Sequence, residues 1–99
     1  MAMPFDWDPA KSRRTLQERG FDFEYATGIF LGPTLEKQDD RHDYGELRMQ
    51  AVGRVGGDVL FVVYTDRGEV RHIISARRAS RRERKSWQSF ADQWMTSGG

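Results

Sequence analysis

The chain has 99 residues, with 16 basic and 15 acidic side chains, a net charge of +1, no cysteine and two histidines. No disulfide framework or thiolate metal site can be built from it, two separated histidines do not make a zinc site alone, and the near-neutral balance argues against a general nucleic-acid coat protein. The length suits one domain over residues 1–99, with a core spanning about residues 5–95, and no apolar run reaches the length of a membrane span or signal segment, so a cytoplasmic protein without membrane contact is expected.

Phe5-Asp6-Trp7 alternates apolar and polar and suits a short edge strand. Asp8-Pro9 then opens a helix. The Asp carboxylate can accept orphan backbone N–H groups, and Pro at the first helical position loses no needed donor. The helix is expected to run to about Arg19, with Gly20 as its left-handed stop. Its apolar face is weak, carried by Ala10, Thr15 and Leu16. Asp22 can cap a second helix, in which Phe23, Ala26, Thr27 and Phe30 share one face of a 3.6-residue period, and Gly32-Pro33 ends it. Phe23 and Phe30 read as core.

Leu35 to Glu46 follows neither period and reads as a loop, with a short strand near Leu35. Within it, Arg41, His42, Asp43, Tyr44 and Glu46 form a dense cluster of groups able to move protons or hold phosphate. Three strands follow. Leu47 to Val52 alternates, Gly56-Gly57-Asp58 is a hairpin signal, and Val59 to Tyr64 is apolar throughout, as in a central strand covered on both faces. Asp66 to Glu69 turns the chain into a last strand, Val70 to Ala76. Helices placed before and after an antiparallel meander give an α+β class.

The final helix begins at Ser80, where Ser80-Arg81-Arg82-Glu83 matches a capping box. Trp87, Phe90, Ala91 and Trp94 fall on one face, and Arg81, Arg82, Arg84 and Lys85 lie roughly opposite. The Gly98-Gly99 end is expected to fray. From Arg71 to Lys85 the chain carries seven Arg or Lys against one Glu, a local +6 in a chain of +1. Such a concentration marks either a polyanion site or a solvated helix face. Two-residue alternation places Arg71 and Arg77 on one side of their strand, and charges there point to a site at the strand's end. No Walker loop, G-x-G-x-x-G or nucleophile elbow is present.

Phe5 to Lys11, the Gly20-Phe21-Asp22-Phe23-Glu24 corner, Asp40 to Glu46 with Arg48, Gly53-Arg54, and Arg71 to Ala79 followed by Glu83 occur in this order over about residues 5–87. In that combination the chain resembles the BrnT family, the toxin half of BrnT–BrnA type II toxin–antitoxin pairs. The resemblance implies a small RelE-like fold of two N-terminal helices, an antiparallel sheet meander and a C-terminal helix. It implies a ribonuclease that arrests translation. It also implies a cognate BrnA-like antitoxin, usually a dimeric DNA-binding protein, that masks the toxin and with it represses their shared operon. Two toxins and two antitoxins typically assemble, and operator DNA is reached only through the antitoxin. The sequence departs from the family's pattern in two places. Thr15-Leu16-Gln17-Glu18-Arg19-Gly20 replaces the usual Asn-Leu-x-Lys-His-Gly, and Trp87 stands where Tyr is common.

A metal-free ribonuclease needs a base for the 2′-OH, a cation for the phosphorane and an acid for the leaving 5′-oxygen. With no metal or other cofactor expected, attack by the 2′-OH and a 2′,3′-cyclic phosphate product follow, and DNA is inert. Arg71 and Arg77 are the candidates for phosphate, because a guanidinium fork matches its oxygens. His42 has a suitable chemistry for acid or base work, with Asp43 and Glu46 as carboxylate alternatives. Arg41, Arg48, Lys11 and Arg78 are candidates for holding RNA. The rival reading is a module that binds RNA or a protein without cutting.

Overall fold

A computed structural model describes residues 3–96; the Gly98-Gly99 end lies outside them. The elements are β1 (Phe5–Trp7), α1 (Pro9–Arg19), α2 (Phe23–Ala26), a 3₁₀ turn (Thr27–Leu31), β2 (Leu35–Gln38), β3 (Met49–Val55), β4 (Asp58–Arg67), β5 (Val70–Arg78) and α3 (Arg81–Thr96). The class is α+β, as expected.

The first helix starts and stops as its sequence dictates. Asp8 accepts the Ala10 N–H at 3.0 Å, Pro9 fills the first position, and Gly20 ends the helix at φ 85°. Its buried side is not the expected one. Ser12 and Thr15 are buried, whereas Leu16 is 48 % exposed. The reason is a hydrogen bond: Ser12 Oγ accepts the Phe23 N–H at 3.0 Å, one of the orphan donors at the start of α2. Asp22 satisfies another by accepting the Tyr25 N–H at 2.9 Å.

After one turn of α2 the chain tightens. Phe23, Ala26 and Ile29 are the buried residues, three apart, as the 3₁₀ period requires. Phe30 therefore moves from the expected core position to the core's edge, where it stacks on Phe5 and meets Tyr64 edge-on. The tightening goes with close approach to the sheet. A Cβ on Gly28 would lie 2.5 Å from Val55 Cγ2, and one on Gly53 would lie 2.9 Å from Ile29 Cβ. Glycine on both sides of the crossing is what lets the turn dock.

The five strands are ordered β1-β5-β4-β3-β2. β2 to β5 form the antiparallel meander. β1 is an edge strand, but it pairs parallel with β5, Phe5 opposite Arg71 and Asp6 opposite His72, so the sheet is mixed. Gly56 at φ 58° and Gly68 at φ 62° turn the two hairpins. One face of the sheet is covered by α1, α2 and the 3₁₀ turn, over a core of Phe23, Ile29, Leu60, Val62, Tyr64 and Ile73. The other takes α3, through Trp87 and Ala91 against Val52, Leu35, Val59 and Phe61. Trp87 also donates its Nε1 hydrogen to the Pro33 carbonyl at 3.0 Å. Trp94 shares the helix stripe but is 44 % exposed.

Candidate nucleic-acid site

A β-bulge decides which arginines share a face. Val63 pairs with Ser75 but Tyr64 pairs with Ile73, so Ile74 is the extra residue on β5. The extra residue reverses the alternation along the strand. Arg71 therefore falls with Ile73 on the α1–α2 face, and Arg77 falls with Ser75 on the α3 face. The same-side placement expected from two-residue spacing does not hold, because the bulge breaks the alternation between the two arginines.

On the α1–α2 face Arg71 is paired with a carboxylate and stacked on two rings. Its guanidinium donates to both Asp66 oxygens at 2.8 and 3.0 Å. Its Cζ lies 4.1 Å from the Tyr64 ring centroid and 4.8 Å from that of Phe30. The Asp66 bond chiefly raises the Arg71 pKa, against burial. Tyr64 donates to Glu36, and burial, then that carboxylate, raises its pKa.

On the α3 face the Arg77 Cζ lies 3.9 Å above the Phe61 ring. Its Nη1 and Nη2 donate to Glu83 Oε1 and Oε2 at 2.8 and 2.9 Å. The expected capping box is formed: Glu83 Oε1 accepts the Ser80 N–H at 2.8 Å and Ser80 Oγ accepts the Glu83 N–H at 3.1 Å. Arg77, foremost, lowers the Glu83 carboxyl to about 2 despite partial burial, and the Ser80 N–H assists. Between α3 and the sheet lies a groove of about 610 Å³. Its floor is Leu35, Val52 and Phe61, and its walls include Lys37, Gln50, Arg82 and Glu83.

The 39–48 loop meets the same face. Asp39 is buried, and Arg41 donates to it through Nε and Nη2 at 2.7 and 2.8 Å. Arg41 is the main reason that Asp39 stays below the ordinary carboxylate range, and Gln50 contributes. Arg48 and Gln50 share one side of the strand direction. The Arg48 Cζ lies 3.9 Å from the Tyr44 ring centroid, and His42 packs edge-on against Tyr44 at 5.7 Å. Arg48 Nε is buried with no hydrogen-bond partner among the described residues.

The remaining candidates scatter. Asp43 accepts the Gly45 N–H at 3.1 Å. Glu46 pairs with Arg67 at 3.3 Å. Arg78 donates to the Arg19 carbonyl at 2.7 Å and covers Phe21 on the α1–α2 face, and Lys11 is exposed on α1. Arg41, His42, Tyr44 and Arg48 cluster beside the Met49–Tyr64 pair, further along the strands than Arg77, which pairs with Phe61; Arg71 and Arg78 lie on the α1–α2 face and Lys11 on α1. Among the described residues no group of three or more His, Cys, Asp or Glu side chains could hold a metal, and no helix is long and apolar enough to cross a membrane.

A comparison with protein families matches residues 7–83 to the family described as "Ribonuclease toxin, BrnT, of type II toxin-antitoxin system". The chain belongs to the BrnT family. Family membership brings a ribonuclease toxin, an RNA substrate and an antitoxin partner. No match was found among curated proteins.

In this BrnT-family chain the site draws on residues that the sequence reading passed over. Lys37, Gln50 and Phe61 reach the groove from three different strands. Their shared signal was alternation, and it needed the register to be known. Outside the groove, His72 Nδ1 lies 2.6 Å from Asp6 Oδ1, across the parallel pair of β1 and β5. Nothing in the two short segments alone announces that pairing.

Proposed function

We propose that the α3 face binds and cleaves single-stranded RNA by attack of a ribose 2′-OH, without a metal ion. What supports this reading most is the groove itself, with an apolar floor, Lys37, Gln50 and Arg82 in its walls, and Arg77 held against two of its lining residues, Glu83 and Phe61. Bases can lie on the apolar floor while the cations take the backbone, the usual division of labour for single strands. Arg77 stabilises the phosphorane charge. Arg41 and Arg48 carry the strand onward over the loop. His42 is the proton-transfer group, because Asp43 is spent on the Gly45 N–H and Glu46 on Arg67. The base removes the 2′-OH proton, the 2′-oxygen bonds to phosphorus, and the 5′-oxygen leaves with a proton. A 2′,3′-cyclic phosphate and a 5′-hydroxyl result. Arg71 is a structural clamp in this reading.

The cellular part of the proposal is translation arrest in the cytoplasm. A BrnA-like, DNA-binding antitoxin neutralises the toxin in an assembly of two toxins and two antitoxins, and operator DNA is engaged only through it. A short neighbouring open reading frame coding for a DNA-binding protein would support this.

The test uses the purified, antitoxin-free chain with RNA and DNA oligonucleotides of one sequence, in the presence of a chelator. Cleavage of RNA alone, with cyclic phosphate at the new 3′ end, is the expected result. A chain that binds RNA but never cuts it, alone or with ribosomes, is a binding module instead.

A further inference from the structure

We infer that Glu83 is a positioning residue for Arg77, holding one edge of the guanidinium so that the Nε–Nη2 edge is presented to an RNA phosphate. The inference rests on the ribonuclease reading of the α3 face. A guanidinium has five N–H groups arranged as forks in one plane. Here Nη1 donates to Glu83 Oε1 and to the Arg78 carbonyl, at 2.8 and 3.1 Å. Nη2 donates once, to Glu83 Oε2 at 2.9 Å. Nε–H and the second Nη2 hydrogen have no hydrogen-bond partner among the described residues. These two are parallel donors, the geometry that meets two phosphate oxygens.

Three contacts fix the plane of that fork: the carboxylate at its end, the Arg78 carbonyl beside it and the Phe61 ring 3.9 Å beneath. Glu83 is itself fixed, because its Oε1 also accepts the Ser80 N–H in the capping box at 2.8 Å. The start of α3 and the orientation of Arg77 are thus set by one side chain. The carboxylate subtracts positive charge beside the phosphate, so its benefit lies in orientation, not in attraction. That gives the inference a distinctive sign. Removing the Glu83 charge costs turnover without costing RNA affinity.

Glu83→Gln separates the two jobs, since Gln also serves the capping box but replaces the paired carboxylate oxygens with one oxygen and one amide. In RNA cleavage kinetics we expect kcat to fall roughly 10- to 100-fold while KM stays level or falls. The same substitution made in Arg77→Lys should change kcat no further, because a lysine has no fork to orient. A Glu83→Gln enzyme with unchanged or higher kcat overturns the inference, as does a full Glu83→Gln loss in the Arg77→Lys background. A second readout is independent of cleavage: the Arg77 Nε–Hε NMR signal should shift on adding 2′-O-methylated RNA to the wild-type chain and not to Glu83→Gln. An unshifted wild-type signal also overturns it. A wild-type chain that shows the shift but no cleavage of ordinary RNA removes the ribonuclease reading and leaves the presented fork standing.

Discussion

Arg71 and Arg77 sit on one strand yet stand on opposite faces of the sheet, because Ile74 is an extra residue between them. The bulge gives the two arginines different surroundings. Arg71 is held by Asp66, Tyr64 and Phe30 beside a cavity of about 220 Å³, whereas the more exposed Arg77 lies on Phe61 and Glu83, which line the larger groove under α3. Truncating Arg71 leaves Asp66 without its partner and uncovers two rings. We expect Arg71→Ala to lower stability by about 1–3 kcal/mol, read by urea unfolding. Wild-type stability in that variant would contradict the clamp.

Acid should weaken the start of α3. The Glu83 carboxyl falls from 4.5 to about 2 in the folded chain, so the folded state holds fewer protons than the unfolded one in between. Its contribution is fully present above about pH 4.5 and is lost as pH falls towards 2. Asp39, also lowered, acts with the same sign. Glu83→Ala should cost about 0.5–2 kcal/mol at neutral pH and flatten the acid limb of the stability profile. An acid limb as steep as that of the wild type would count against the Glu83 contribution.

The crossing of the 3₁₀ turn over the sheet admits no extra methyl. A Cβ on Gly53 would meet Ile29 Cβ at 2.9 Å, Thr34 Cγ2 at 3.0 Å and the Ile29 carbonyl oxygen at 3.3 Å. Gly53→Ala should destabilise by about 1–3 kcal/mol, seen as a lower denaturant midpoint.

The two histidines should separate by what they change. His42 sits on the loop against Tyr44, exposed, and supports no other element. His42→Ala is expected to slow RNA cleavage roughly 100-fold or more with stability unchanged. His72 ties β1 to β5 through Asp6. His72→Ala should lower stability by about 1 kcal/mol and leave cleavage by the folded protein within a few-fold. The opposite pattern would move the proton-transfer role to His72 and Asp6.

Much of the fold was legible because its signals are local. Asp8, Pro9 and Gly20 bound α1, Ser80 and Glu83 open α3, and the glycine hairpin beside the apolar run of β4 gives the centre of the sheet. The bulge was illegible because Ile73 and Ile74 are both apolar, so the sequence does not mark where alternation breaks. The 3₁₀ period was hidden for a similar reason: Ile29 and Phe30 are adjacent and equally fit for burial, and docking of Gly28 on Val55 chooses between them. Of the site, Arg77 and the loop residues could be picked out by type. The groove could not, since Lys37, Gln50 and Phe61 meet only through strand pairing.

The assignment of the chemistry to the α3 face is tested most directly by comparing RNA cleavage by Arg77→Ala and Arg71→Ala, each measured as a single-turnover rate per folded molecule. We expect Arg77→Ala to lose roughly 100-fold or more and Arg71→Ala to stay within a few-fold of wild type. A large loss in Arg71→Ala with Arg77→Ala near wild type would place the reaction on the other side of the sheet.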